Sequence, residues 1–366
     1  MQKLNNNKKT ILIFSNTSWS LYNFRFELIE KFSKNPKYNI VLLCGDDDYK
    51  EKFNKLGLKF VFFRMNRGFS NPLYQFVTLF KLVVLLFKIN PEIIFSFTVK
   101  PNIISGFYSL LRPKVIFIPN ITGMGKIMDL PFFFKSLIIN LYFKLLLKSR
   151  VIFVQNKRDK DLACNILKNN CIVKLPGSGT NPKKFPIKKN LGYRYKVCFV
   201  GRALKKKGVI DFIEFVKLVN QTNKIKSIMI LNTLNSDLDI KQISLLCDKH
   251  GIKLLKNIDN VNKFLLESKY LIFPSTYNEG IPKTVLEALF SGMIVIAYDS
   301  YWSSEFKENI YPIFVQKSLN SLKKGYNEVE SYSQKSIIEK NDKSLKFMRK
   351  KFTTNKVISE YEKACK

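Results

Sequence analysis

Histidine is all but missing. His250 is the only one in 366 residues, so a zinc site has few possible ligands. It sits in "CDKHGIKLL", where a surface position between a helix and a strand is the plainer reading. Six cysteines (Cys44, Cys164, Cys171, Cys198, Cys247 and Cys365) include no C-x-x-C pair. Cysteines scattered in this way fit a reducing cytoplasm. Long uncharged runs are absent as well. Lys81 and Lys88 bracket "LVVLLF", Lys135 and Lys144 bracket "SLIINLYF", and no uncharged span reaches 18 residues. No transmembrane helix is expected. The start, "MQKLNNNKKTILIF", enters a strand-like run with no cleavage-site pattern, so no signal peptide is expected.

Acidic residues are scarce too: 28 Asp and Glu face 62 Lys and Arg, a net charge of +34. Such an excess suits an anionic partner: nucleic acid, anionic lipid or a phosphorylated substrate. An AT-rich genome favours lysine and accounts for part of it. The asymmetry is harder to explain that way, because residues 1–195 hold 33 basic and 10 acidic residues, and residues 196–366 hold 29 and 18. The one acidic cluster, Asp46–Asp48, follows a strand, where an acidic loop is commonplace and a metal site is the weaker reading.

What the chain does have is apolar runs of strand length, with helix-length segments between them. The first half holds "ILIFSN" (11–16), "IVLLCG" (40–45), "KFVFFR" (59–64), "EIIFSF" (92–97), "KVIFIP" (114–119), "RVIFVQ" (150–155) and "CIVKLP" (171–176). The second holds "YKVCFVGR" (195–202), "KSIMILN" (226–232), "IKLL" (252–255), "YLIFPS" (270–275), "IVIAYD" (294–299) and "YPIFV" (311–315). The runs are continuous rather than alternating, as parallel strands covered on both faces require. The pattern predicts an α/β chain of two Rossmann-like doubly wound domains with a ligand cleft between them. The expected divisions are 1–178, a Gly- and Pro-rich linker at 179–194, a second domain at 195–340, and a helical tail at 341–366.

One segment carries the chemistry. In "STYNEGIPKTVLEALFSG" (275–292) a strand ends, a loop with Glu279 and Gly280 follows, and a helix starts at Pro282. Proline suits a first helical position, and Ile281 before it has no side-chain oxygen to cap the backbone donors of Lys283, Thr284 and Val285. An uncapped helix mouth approached through a glycine is an anion site. Glu287 lies roughly 7.5 Å along the helix from Pro282. Carboxylates repel phosphate, so Glu279 and Glu287 should face hydroxyls, and a nucleotide sugar offers hydroxyls on both sides of a diphosphate. Spacing alone proves little: 15 glutamates in 366 positions give about 0.6 such pairs by chance. The strand, turn and helix around the pair make the signal.

This segment resembles the E-x7-E motif of retaining glycosyltransferases of family 4, which have the GT-B fold of two facing Rossmann-like domains. "FVGRALKKKGVIDFI" (199–213) resembles that family's strand followed by Arg-x4-Lys-Gly, and "PGSGTNPKKF" (176–185) its interdomain segment, with Asn181 where Asp is usual. The resemblance implies that Gly201, Arg202 and Lys207 bind the donor diphosphate, Glu279 the donor sugar and Glu287 the ribose. Arg202 offers a planar fork and Lys207 a point charge, both suited to charge building on a departing diphosphate. No metal is then required, and the donor is expected to be UDP-linked.

"SNTSWSLYNFRFELIE" (15–30), "FSFTVKPNI" (95–103) and "IPNITGMG" (118–125) resemble a bacterial branch that adds N-acetylhexosamine-type sugars to undecaprenyl-diphosphate-linked acceptors in O-antigen, capsule or glycan assembly. By the resemblance and by position in loops after strands, Arg25, Lys100, Lys126 and Arg67 are candidate acceptor contacts. Asn120 or Thr122 stands where many family members carry histidine, so the donor phosphate is expected to act as the base. Gly123 and Gly125 would let backbone approach donor sugar or acceptor. Residues 131–150, "PFFFKSLIINLYFKLLLKSR", combine phenylalanines with Lys135, Lys144, Lys148 and Arg150. They read either as a basic amphipathic segment lying on an anionic membrane or as a core-covering helix with snorkelling lysines. The expected location is the inner face of the cytoplasmic membrane. Rival readings are a nucleotide-sugar epimerase and a non-catalytic basic module; no zinc-finger or aromatic RNA-binding signature supports nucleic acid.

Overall fold

The structure, a computed structural model, describes residues 8–45, 47, 49–63, 72–168, 170–186, 192–234, 236–306 and 310–366. It divides into two units: Met1–Ser178 together with Thr354–Lys366, and Gly179–Thr353.

The first unit is built on seven strands: β1 (Lys9–Thr17), β2 (Tyr38–Gly45), β3 (Lys59–Phe62), β4 (Ile93–Phe97), β5 (Ile116–Ile121), β6 (Ile152–Val154) and β7 (Ile172–Lys174). They pair in parallel in the order β3-β2-β1-β4-β5-β6-β7. The helices are α1 (Ser18–Ser33), α2 (Pro72–Ile89), α3 (Val99–Leu111), α4 (Phe132–Lys144) and α5 (Lys157–Ile166). The continuous apolar strands have a direct cause. Ile11, Leu12, Ile13 and Phe14 are all fully buried, but Leu12 and Phe14 point into one core and Ile11 and Ile13 into another. Successive side chains leave opposite faces of a strand, so a sheet covered on both faces needs an apolar residue at every position.

The second unit repeats the design with β8 (Tyr195–Arg202), β9 (Ser227–Asn232), β10 (Ile252–Lys256), β11 (Ser268–Phe273), β12 (Ile294–Tyr298) and β13 (Ile313–Val315), all parallel, in the order β10-β9-β8-β11-β12-β13. Its helices are α6 (Val209–Asn220), α7 (Ile240–Lys249), α8 (Asn262–Leu266), α9 (Lys283–Phe290), α10 (Leu319–Glu330) and α11 (Gln334–Lys351). In each unit the strand order reverses once, between β1 and β4 and between β8 and β11. That reversal parts the loops at the carboxyl ends of the two strands and leaves room for a ligand.

The helical tail expected over 341–366 is divided between the units. Residues up to Thr353 stay with the second, where α11 buries Ser344 and Met348. The last helix, α12 (Thr354–Ala364), belongs to the first unit. The buried Tyr361 explains why: its ring packs 4.8 Å from Phe95, 6.1 Å from Phe97 and 4.6 Å from Phe153. These are aromatic contact distances.

Candidate functional site

The second unit brings its sequence-marked residues together at the β8/β11 reversal. Strand β8 ends at Arg202, and a short 3-10 turn over Lys205–Lys207 leads into Gly208. Gly208 has φ +81, and a Cβ there would stand 2.3 Å from the Pro274 carbonyl oxygen. Only glycine allows the loop after β8 to lie this close to the end of β11. The Thr276 N–H then donates to the Lys206 carbonyl at 2.8 Å and ties the two loops together.

This stitching places Lys207 beside Glu279. The ammonium is 2.6 Å from Glu279 Oε1, and the side chains are only 11% and 16% exposed. Ser275 Oγ donates to the same Glu279 oxygen at 3.0 Å, which fixes the carboxylate. Tyr277 lies under both cations: its ring centre is 5.2 Å from the Arg202 guanidinium and 5.4 Å from the Lys207 ammonium. Burial pulls the Lys207 ammonium below its ordinary value, Glu279 draws it back up, and Arg202 lowers it again. A cation at this place is therefore held by its carboxylate partner against a desolvation penalty.

Helix α9 starts at Lys283, one residue later than expected, with Pro282 as its N-cap. Pro282 makes no side-chain capping hydrogen bond, so the mouth keeps the character read from Ile281. The Ile281 and Pro282 side chains are buried, and Ile281 joins the core; only their backbone is left to serve a ligand. Gly280 is buried, and Thr284 is half-buried in the first turn. Glu287 sits one turn beyond Lys283, with Oε1 3.6 Å from its ammonium. Gly201 precedes Arg202 on β8.

The first unit gathers its marked residues differently. Phe97, the last residue of β4, lies opposite Asn120 on β5. Arg25 of α1 stacks on Phe97 with its guanidinium 4.3 Å from the ring centre. It is 4% exposed, and Nε and Nη1 have no hydrogen-bond partner. Burial lowers its pKa, and the nearby Tyr361 raises it. Among the described residues it makes no ion pair. Asn120, by contrast, is committed to structure. Its Nδ2 donates to the Tyr361 hydroxyl at 2.9 Å, and its carbonyl accepts from Asn102 Nδ2 at 3.2 Å. Gly123 (φ +109) and Gly125 (φ +52) both take the left-handed backbone that favours glycine. Thr122 is half-buried beside them, and Lys100 is half-buried in the first turn of α3, where burial lowers its pKa.

Arg67, Asp46 and Asp48 lie outside the described residues, as does the Lys126 side chain. Asp47 serves α1, accepting from the Trp19 N–H at 3.0 Å and from Ser18 Oγ. Three participants were not foreseen. Tyr277 and Ser275 were visible inside the quoted segment, but a ring under two cations and a hydroxyl on a carboxylate have no linear signature. Tyr361 is 241 residues from its partner Asn120, and no local pattern marks it.

Residues 180–343 match the family described as "Glycosyl transferases group 1". That match falls within the second unit. The chain is 27% identical, over 84% of its length and 85% of the relative's, to a Campylobacter jejuni protein named N,N'-diacetylbacillosaminyl-diphospho-undecaprenol alpha-1,3-N-acetylgalactosaminyltransferase. Its structure is similar to Anabaena Alr3699/HepE in complex with UDP and glucose, with a TM-score of 0.76 at 11% identity over 98% of this chain and 99% of that one. A glycosyltransferase from Rickettsia africae gives a TM-score of 0.71 at 14% identity over 98% and 97%. The fold is GT-B. This agrees with the two Rossmann-like units expected from the strand pattern.

Proposed function

We propose that this chain is a retaining glycosyltransferase of the family-4 type. It moves a sugar, of the N-acetylhexosamine class, from a UDP-linked donor to a saccharide carried on a polyprenyl diphosphate in bacterial surface-glycan assembly. The observation that carries the proposal is the Lys207–Glu279 pair at 2.6 Å, bridging the loops after β8 and β11 with Arg202 alongside. An incoming diphosphate competes with Glu279 for Lys207 and takes up Arg202 as a two-pronged donor. The released Glu279 carboxylate accepts hydrogen bonds from sugar hydroxyls, and Glu287 does the same for the ribose.

In the transfer, the bond between the anomeric carbon and the diphosphate oxygen breaks. The acceptor hydroxyl oxygen bonds to that carbon on the same face, and its proton goes to the departing phosphate. Arg202, Lys207 and the α9 mouth stabilise the charge on that phosphate with donors already in place, without a metal ion. The UDP-bound Anabaena neighbour supports the donor class, and the activity for which the C. jejuni relative is named supports a lipid-linked acceptor. In the first unit, Arg25, Lys100 and the Gly123–Gly125 loop are the candidate acceptor contacts, and the unpartnered Arg25 donors support an anionic one.

The test is a panel of radiolabelled UDP- and GDP-sugars with a short polyprenyl-diphosphate saccharide. Transfer from one UDP-N-acetylhexosamine with retained anomeric configuration is expected. Lys207→Ala and Glu279→Ala should each lower its rate about 10²–10³-fold with an unchanged circular dichroism spectrum. Wild-type rates in both variants would refute the site. Turnover of a UDP-sugar with no acceptor present would favour an epimerase.

A further inference from the structure

Helices α2, α3 and α4 lie along one side of the first sheet and share a single core with β1, through residues such as Leu86, Tyr108 and Phe143. Their outer surfaces are also apolar. Phe132, Phe133 and Phe134 are 82%, 74% and 57% exposed, and Phe76, Phe80 and Leu111 are 66%, 64% and 62% exposed. Helix α4, which its sequence left open as either a basic amphipathic segment on a membrane or a core-covering helix, carries apolar residues on both of its sides. Ile139, Tyr142 and Phe143 are buried on its inner side, while Leu137 and Leu141 are exposed on its outer side. A helix apolar all round needs an apolar medium on both sides, and the protein core supplies one of them.

Charge indicates the other medium. Pro72–Ile89, Val99–Leu111 and Phe132–Lys144 contain no Asp or Glu at all. Lys81, Lys88, Lys144 and Lys148 are exposed among the apolar residues, and Lys135 is half-exposed. The nearest carboxylate in sequence to α4 is Asp129. A second copy would set lysines against lysines with no acid to pair them. A bilayer surface supplies what the face lacks: acyl chains for the phenylalanines and anionic phosphates for the ammonium groups.

We infer that the outer face of α2, α3 and α4 docks on an anionic phospholipid surface. Phe132, Phe133 and Phe134 enter the boundary between headgroups and acyl chains, and Lys135, Lys144 and Lys148 lie at the phosphate level. This deepens the lipid-acceptor reading and rests on it only for its biological occasion, because lipid binding is measured without either substrate.

The experiment uses full-length Phe133→Trp protein and vesicles of phosphatidylglycerol and phosphatidylcholine, with and without brominated acyl chains, at physiological salt. A blue-shifted emission of the introduced indole and its quenching by the brominated lipid are expected. The triple variant Phe132→Ser/Phe133→Ser/Phe134→Ser should co-sediment about ten-fold less with these vesicles, and Lys135→Gln/Lys144→Gln/Lys148→Gln should lose the preference for the anionic lipid. UDP affinity should be unchanged in both, because every substituted residue lies in the first unit. Absence of quenching, or equal vesicle binding by the serine variant, would overturn the inference. So would concentration-dependent self-association without vesicles that the serine substitutions abolish, which would make the face an interface between copies. Vesicle binding without sugar transfer would count against the proposed activity and leave the docking face standing.

Discussion

The two units share one strand order but surround the cations marked by the sequence differently. In the second, cations at the strand ends come with carboxylates: Lys207 with Glu279 and Lys283 with Glu287. In the first, Arg25 is buried on Phe97 with two donors unpartnered, and the helices of one outer layer have no carboxylate. A buried charge beside its counter-charge has its desolvation penalty offset within the resting protein. An unpaired buried cation weakens the resting protein, and in this reading an outside anion compensates it.

Four measurements sharpen or break this contrast. The largest effect on stability is expected at the aromatic seat that returns the chain end to the first unit. Tyr361→Ala should cost about 3–5 kcal/mol in urea unfolding, whereas Tyr361→Phe, losing only the bond to Asn120, should cost about 1 kcal/mol. Equal costs would mean that the ring packing is not what holds α12. Next is the stitched loop of the second unit. Gly208→Ala meets both a positive φ and the Pro274 carbonyl, and should cost about 3 kcal/mol. A neutral result would show that the β8 and β11 loops do not need their close approach.

Arg25→Met gives the sharpest contrast between units. Removing a buried cation that lacks a carboxylate should leave stability unchanged or raise it by about 1 kcal/mol, while the KM for a diphosphate-linked acceptor rises. A large loss of stability would mean that the guanidinium has structural work of its own. The smallest effect is expected at Glu330, which is bound by Lys196, by Lys269 at 2.9 Å and by the Tyr270 hydroxyl. Burial alone would raise its pKa, but hydrogen bonds from Lys196, Tyr270 and Lys269 bring it down from 4.5 to about 2. A carboxyl lowered in the folded state contributes stability above 4.5 that is lost as pH falls towards 2. With partial exposure screening the pair, the loss is about 1 kcal/mol, visible as a steeper acid limb in wild type than in Glu330→Gln.

The fold was highly legible. Each of the thirteen apolar runs overlaps a strand, because burial on both faces writes itself into consecutive residues. The segment from Ser275 to Gly292 was legible for a related reason: a strand end, a glycine, a proline and a helix stop are all local events. Its helix begins at Lys283 rather than Pro282, a shift of one residue that leaves the missing side-chain cap in place. Less legible was α4, whose sequence left a membrane-lying segment and a core-covering helix both open. Packing puts apolar residues on both of its sides, and composition does not record which of them the core accepts.

By itself, the sequence determined two parallel-sheet units, their strands and the local strand end, turn and helix start between Ser275 and Gly292. These depend on hydrophobic continuity and on turn chemistry, both short-range. Only the tertiary structure decided that Lys207 meets Glu279 over Tyr277, that the last helix crosses back to cover Phe95, and that a trio of phenylalanines faces outward. Each of those depends on which distant segments share a strand end or a core. That is settled by packing the whole chain at once, with no trace in any single stretch of it.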